Sequence, residues 1–219
     1  RAADERSFFR DAWLGLRNVW HGQHIRPLLL AGAAVSFFST LFEAVSLLYL
    51  VDELQVDPWL IGVIAAVGGV GLIAGASTAG WISKRLGVGR SILFGVLLLA
   101  ASDLSLPLAT GPLPAITVIL MAGHLAFGVG LTVWNVNQVS LRQAATPERF
   151  QGRMNAAFRV AMGGSVPLGA LAGGFLGEYL SLRTTLFIGV IGEASAVIWL
   201  LASPLFRLRE VPAEAEDLA

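Results

Sequence analysis

The chain has 219 residues, of which 55% are hydrophobic and 14% are charged, and its formal net charge is zero. A soluble domain carries about 25% charged residues, so this composition is typical of a membrane protein. The balanced charge argues against a nucleic-acid partner. The 219 residues contain no cysteine, which excludes disulfides, a thiol nucleophile and a cysteine-based metal site among them.

The first 26 residues precede the first long apolar run and are predicted to form a cytoplasmic linker. Residues 7–20 place apolar side chains at helical spacing and arginines on another face, namely Phe9, Trp13, Leu16 and Trp20 against Arg10 and Arg17. This pattern predicts an amphipathic helix on the inner membrane surface. The alternative is a linker that is amphipathic by chance. Because the chain opens with Arg1 and shows no signal peptide, we expect it to be part of a longer protein.

Six apolar segments follow, and each is long enough to cross a bilayer, which takes about 20 residues. They cover residues 27–51, 58–82, 91–110, 114–141, 154–180 and 184–206, and we call them spans 1 to 6. The predicted fold is therefore an all-α membrane domain over residues 27–206. Residues 207–219 are predicted to be an acidic cytoplasmic tail, disordered over 210–219.

Lysine and arginine alternate between the ends of these spans. They occur before span 1, between spans 2 and 3, between spans 4 and 5, and after span 6. The loops after spans 1 and 3 have none, and the loop after span 5 has only Arg183. Because cytoplasmic loops are enriched in these residues, both termini are predicted to be cytoplasmic. Residues 80–90, "GWISKRLGVGR", are predicted to form a tight cytoplasmic turn.

Two stretches of the sequence are similar to each other. Residues 71–96 and 169–190 both begin G-x-x-A-G, pass through a turn with leucine and arginine, and continue to phenylalanine and G-V. The first turn is predicted to be cytoplasmic and the second external. Spans 1–3 and 4–6 are then inverted three-helix repeats, as in certain secondary transporters. Chance similarity between two glycine- and alanine-rich helices is the alternative.

Two motifs resemble those of the major facilitator superfamily. Residues 80–90 are similar to its loop signature G-x-x-x-D-R-x-G-R-[RK], with Lys84 where the family prefers aspartate. Residues 139–178 resemble the efflux branch, the bacterial transmembrane-secretion-effector group that includes enterobactin-exporter-like and macrolide-efflux-like proteins, through the residues Thr146, Pro147, Glu148, Gly152, Arg153, Pro167, Leu168 and Gly169. The resemblance covers about 27–209 and implies helices 7–12 of a twelve-helix transporter, whose N-terminal six-helix half is the expected partner.

The resemblance also implies a gate and a helix-packing surface. The gating residues are Gly80, Lys84, Arg85, Gly87, Arg90 and Arg153. The lysine at position 84 puts a carboxylate latch at this loop in doubt. The packing residues are Gly71, Gly75, Gly169, Gly173 and Gly177, at G-x-x-x-G spacing. Small residues let helices approach closely in lipid, and the alternative is static packing with no part in motion.

Polar side chains within the spans mark candidate cavity residues, because a charge at a helix centre costs about 2.5–3.5 kcal/mol and usually faces protein or water. The candidates are Glu43, Ser39, Ser46, Asn135, Gln138 and Arg159. In the family, the first, second, fourth and fifth helices of a half line the cavity. Glu43 is either a proton carrier, a docking charge for a cationic substrate, or an ion-pair partner of the other half. Asp103 and Glu193 lie on helices that the family makes peripheral and are interpreted as packing groups, with Pro107 kinking the helix after Asp103.

The sequence favours a secondary transporter that exports a small amphipathic molecule by alternating access. An ion gradient, with protons as the expected coupling ion, is favoured because the sequence lacks G-x-x-x-x-G-K-[ST]. Import of a small solute and a six-helix scaffold or sensor remain alternatives. An intramembrane enzyme is disfavoured, since His124 is the only span histidine and no H-E-x-x-H occurs. We expect no cofactor or metal, and a location in a bacterial inner membrane.

Overall fold

A computed structural model of the chain describes residues 25–209. The predicted amphipathic helix at residues 7–20 and the acidic residues 210–219 lie outside this range. Six helical segments within it are long and apolar enough to cross a membrane. Span 1 comprises Ile25–Glu53, span 2 Pro58–Leu86, span 3 Val88–Leu108, span 4 Leu113–Ala144, span 5 Glu148–Tyr179 and span 6 Leu182–Leu201. The predicted all-α membrane fold is confirmed.

The spans on the predicted cytoplasmic side are longer than the sequence suggested. Span 2 continues as a helix to Leu86 and span 3 begins at Val88, so the predicted turn lies within residues 80–90 but is much shorter, and Gly87 alone makes it. Its φ of 86° lies in the region that glycine tolerates best. The loop predicted between residues 141 and 154 is also shorter, because span 4 ends at Ala144 and span 5 starts at Glu148.

Spans 1, 3 and 6 are not uniform α-helices. Span 1 is α-helical over Ile25–Leu48 and ends in a π-helical turn, Tyr49–Glu53. Span 3 divides into Val88–Asp103 and Ser105–Leu108, where Pro107 cannot donate the hydrogen bond that the carbonyl of Asp103 would otherwise accept. Span 6 divides into Leu182–Ala194 and Ala196–Leu201, and Pro204–Arg207 form a separate 3₁₀ turn.

The packing of the spans follows an inverted repeat. Span 1 packs against spans 5 and 6, and span 4 packs in the same way against spans 2 and 3, while spans 3 and 6 contact each other. Exchanging spans 1–3 with spans 4–6 leaves this list of contacts unchanged. The principal contacts therefore run in the order 5–1–6–3–4–2, with spans 3 and 6 at the back and an open side between spans 1 and 4.

Equivalent glycines make the two outer contacts of this arrangement. A Cβ atom on Gly71 would collide with the carbonyl oxygen of Leu125 in span 4, and one on Gly169 would collide with that of Phe37 in span 1. One turn later, Gly75 meets Val129 and Gly173 meets Leu41. The two glycines of each span are four residues apart, and so are the two residues that they contact on the partner span. The two G-x-x-x-G faces therefore pack against their partner helices in the same way.

The buried apolar side chains form two separate clusters. One, near the end where Gly87 lies, includes Ile92, Trp134, Leu141, Phe158 and Leu200. The other, near the opposite end, includes Tyr49, Ile64, Leu120, Leu186 and Val190. The middle of spans 1, 3 and 6 lies between these clusters, and its polar side chains are described next.

Candidate functional site

A cavity of about 140 Å³ opens between spans 1, 3 and 4. Span 1 contributes Ser39, Glu43 and Ser46 to its lining, span 3 contributes Asp103, and span 4 contributes His124. Phe42 and Phe127 add apolar walls. The cavity thus joins a polar stripe of span 1 to a carboxyl group of span 3 at the level between the two apolar clusters.

The three residues of span 1 lie on one helical face because they are three or four positions apart. Glu43 is exposed, and Ser39 and Ser46 are half-buried. Ser46 donates a 3.0 Å hydrogen bond to the backbone carbonyl of Glu43. Because Glu43 is exposed and lines the cavity, its carboxyl group is available to a solute or to another protein segment.

Glu193 lies behind this cavity and is 1% exposed. The Ser39 hydroxyl donates a 2.8 Å hydrogen bond to its Oε1 atom. The carboxyl groups of Glu193 and Asp103 lie close enough together to interact directly. The sequence predicts Asp103 and Glu193 to be packing groups. It gives no sign that they meet, because they lie on two different spans.

The remaining cavity candidates lie elsewhere. Asn135 and Arg159 are exposed on spans 4 and 5, and Gln138 is buried in span 4. None of the three lines the cavity that contains Glu43. Asn137, which is not among the predicted candidates, is 3% exposed. It accepts a hydrogen bond from the Ser83 hydroxyl of span 2 and donates one to the carbonyl of Val133 at 2.8 Å.

A sequence profile of the major facilitator superfamily matches residues 28–218. The chain belongs to this superfamily. A comparison with curated protein sequences gave no match.

Solved structures of this superfamily's fold are similar to the chain. A crystal structure of a mutant of the peptide transporter POT in complex with sulfate has a TM-score of 0.69 at 17% identity, and covers 89% of this chain and 41% of that one. The same mutant in complex with alafosfalin has a TM-score of 0.67 at 17% identity, and covers 84% of this chain and 39% of that one. The structure of the mutant without a named ligand has a TM-score of 0.68 at 18% identity, and covers 86% of this chain and 39% of that one. The chain thus spans about two fifths of that transporter's length.

A second pocket, of about 490 Å³, lies at the junction of spans 2 and 3, within the stretch that resembles the superfamily's loop signature. Lys84, Arg85 and Arg90 line it together with Arg209. Residues 208–209 are held there by backbone hydrogen bonds, which the N–H groups of Val88 and Gly89 donate to the carbonyl oxygens of Arg209 and Leu208 at 3.3 and 3.0 Å. Residues 208–209 therefore lie at the same end of the molecule as the Gly87 turn.

The other gating and packing candidates are spread over the molecule. Gly80 is exposed and a Cβ atom on it would have open space around it, whereas a Cβ atom on Gly177 would lie 2.7 Å from a methyl group of Val45. Arg153 is exposed on span 5. Among residues 25–209, no three His, Asp or Glu side chains converge closely enough to hold a metal ion.

Proposed function

We propose that the chain is the C-terminal six-helix half, helices 7–12, of a secondary active transporter in a bacterial inner membrane. Its N-terminal six-helix half would face the open side between spans 1 and 4. The observation that supports this most directly is the exposed carboxyl group of Glu43 on that side, in a chain that belongs to the major facilitator superfamily. A carboxyl group within a membrane span is costly unless it faces protein or water, so an open lipid-facing position is disfavoured.

The proposed cargo is a small amphipathic molecule, exported by alternating access and driven by an ion gradient, with protons as the coupling ion. The cavity supports this class of cargo, because aromatic walls from Phe42 and Phe127 stand beside the carboxyl groups of Glu43 and Asp103. Apolar walls with a few polar groups are typical of small-molecule sites. Efflux rests on the resemblance of residues 139–178 to the efflux branch.

Two other functions remain as alternatives. Import of a small solute is compatible with the same cavity, and the similar solved structures are of a peptide transporter. A six-helix scaffold or sensor would need neither the cavity nor a second half. Six further spans before Arg1 in the full-length protein would favour the transporter over the scaffold.

The pocket of Lys84, Arg85, Arg90 and Arg209 is proposed to belong to the cytoplasmic gate. Four cations around one single-residue turn repel one another, so an anionic group from the other half would stabilise the state in which it closes over them. Arg153, at the start of span 5, is proposed to act at the neighbouring junction on the same side. This proposed role does not include a carboxylate latch at position 84, where the chain has a lysine.

Glu43→Gln tests the proposed transport role, because it keeps the size of the side chain and removes its charge. The full-length protein is reconstituted in liposomes, and substrate movement driven by a proton gradient is compared with substrate exchange at equilibrium. A proton carrier predicts loss of the driven movement with exchange retained. A docking charge predicts loss of both for cationic substrates only.

Glu53→Gln is the matched control, since Glu53 is exposed in the π-helical turn that ends the same span. We expect it to behave as the wild type. Wild-type driven transport in Glu43→Gln at every pH would contradict the assignment of Glu43 to substrate or proton binding.

A further inference from the structure

One carboxyl oxygen of Glu193 accepts no hydrogen bond within the described residues. The side chain is 1% exposed, its Oε1 accepts from Ser39, and its buried Oε2 has no hydrogen-bond donor in the described part of the chain. A buried acceptor without a donor is unusual and costly in a native structure. It therefore points to a ligand that supplies a donor at this position.

The neighbouring group cannot supply that donor while it is ionised. The carboxyl groups of Asp103 and Glu193 are neighbours that interact directly, and an ionised carboxylate is only an acceptor. Two carboxyl groups can form a hydrogen bond with each other only when one proton lies between them. Two contacting carboxylates without that proton would also repel each other in a medium of low dielectric constant.

The surroundings of the pair are apolar on both sides along the membrane normal. Val96 and Leu99 of span 3 belong to one apolar cluster and Leu106 to the other, with Asp103 between them. On span 6, Val190 belongs to one cluster and Ala196 to the other, with Glu193 between them. Within the described residues, apolar side chains therefore separate the pair from both ends of spans 3 and 6.

A lateral route to the pair is the cavity between spans 1, 3 and 4. Asp103 lines it, whereas Glu193 lies behind. Its volume of about 140 Å³ exceeds the roughly 30 Å³ that one water molecule takes up in the liquid. A proton on the pair can consequently exchange with the cavity through Asp103, while Glu193 and Ser39 keep the pair in place.

The titratable groups that face the pair come from three spans. Glu43 of span 1 and His124 of span 4 line the same cavity as Asp103, and both carboxyl groups of the pair experience the charge of Glu43. Arg183 of span 6 donates to the carbonyl oxygen of Pro107 at 2.9 Å, and thus binds backbone one helical turn from Asp103.

We infer that Asp103 and Glu193 form a proton-binding site, in which one exchangeable proton is shared between the two carboxyl groups and Ser39 positions Glu193. The site lies on spans 3 and 6, at the back of the arc, rather than on the face of span 1 that carries Glu43. It is independent of the direction of transport and of the cargo. The site stands even if Glu43 carries no proton.

Infrared spectroscopy of the full-length protein tests the site, since a protonated carboxyl group has a C=O stretching band that a carboxylate lacks. We expect a band that disappears as the pH is raised. Asp103→Asn and Glu193→Gln should each change its frequency and its midpoint, and the double variant should lose it. Glu178→Gln, at an exposed glutamate of span 5, is the matched control and should retain the band. Glu43→Gln should retain it too, with a shifted midpoint.

Carbodiimide labelling gives a second measurement that needs no variant. The reagent attacks protonated carboxyl groups in apolar surroundings, so peptide mass spectrometry of the wild type should find the label on Asp103 or Glu193, and less of it at alkaline pH. A band that survives unchanged in the double variant of Asp103→Asn and Glu193→Gln would overturn the inference. So would a band that sodium ions abolish at constant pH, because the pair would then be a metal-cation site. Absence of label from both peptides at acidic pH would count against it as well.

Discussion

Gly173 of span 5 lies against the backbone carbonyl of Leu41 of span 1, so closely that a Cβ atom at this position would collide with it. The neighbouring glycine, Gly174, faces open space. Adjacent positions on one helix therefore differ completely in the space they leave for a side chain. The same substitution at both positions distinguishes an effect on helix packing from an effect on helix propensity.

Gly173→Leu should force spans 1 and 5 apart. Overpacking of this kind costs about 1–3 kcal/mol, and we expect the variant to insert into the membrane but to lose transport and melt at a lower temperature. Gly174→Leu is the control and should transport like the wild type. Equal behaviour of the two variants would show that the contact between spans 1 and 5 does not limit function.

Gly87→Ala should destabilise the turn between spans 2 and 3. The backbone there has a φ of 86°, and a Cβ atom would lie 2.9 Å from the Cα atom of Arg209. A strained backbone position costs about 1–3 kcal/mol. Thermal unfolding of the purified protein should show the loss, whereas Gly80→Ala, in an open helical position, should be neutral or stabilising by up to about 1 kcal/mol.

Ser83 and Asn137 should be energetically coupled, because their side chains hydrogen-bond across spans 2 and 4. Hydrogen bonds between membrane helices contribute about 0.6 kcal/mol on average and at most about 1.7. Ser83→Ala, Asn137→Ala and the double variant form a cycle in which the coupling is measured from unfolding free energies. Additive losses from the two single variants would mean that the contact contributes nothing to stability.

A cysteine at Leu86 should report which side of the membrane the turn occupies. Leu86 is 41% exposed, whereas Val88, on the other side of Gly87, is 6% exposed and would be shielded from reagents. The 219 residues contain no native cysteine, so the label is specific within them. An impermeant maleimide should reach Leu86→Cys only from the inside and Asp52→Cys only from the outside. The reverse result would overturn the predicted orientation.

The sequence alone determined the number of spans, because a bilayer requires about 20 apolar residues per helix and the six runs meet that length. It also located the glycine faces, since the G-x-x-x-G spacing at residues 71–75 and 169–173 places both glycines on one side of a helix. It overestimated the length of the turn within residues 80–90, because lysine and arginine end a membrane span without ending the helix.

Only the tertiary structure decided which polar residues meet. Helical periodicity assigns Asp103 and Glu193 each to a face of its own helix, but it contains no information about which face of another helix lies opposite. The contact between them depends on the crossing of spans 3 and 6 and on the position of Ser39 in span 1. The same reason explains why Asn135 was chosen and Asn137 was missed, since a shift of two residues on a helix is a rotation of about 200° and the partner, Ser83, is 54 residues away in sequence.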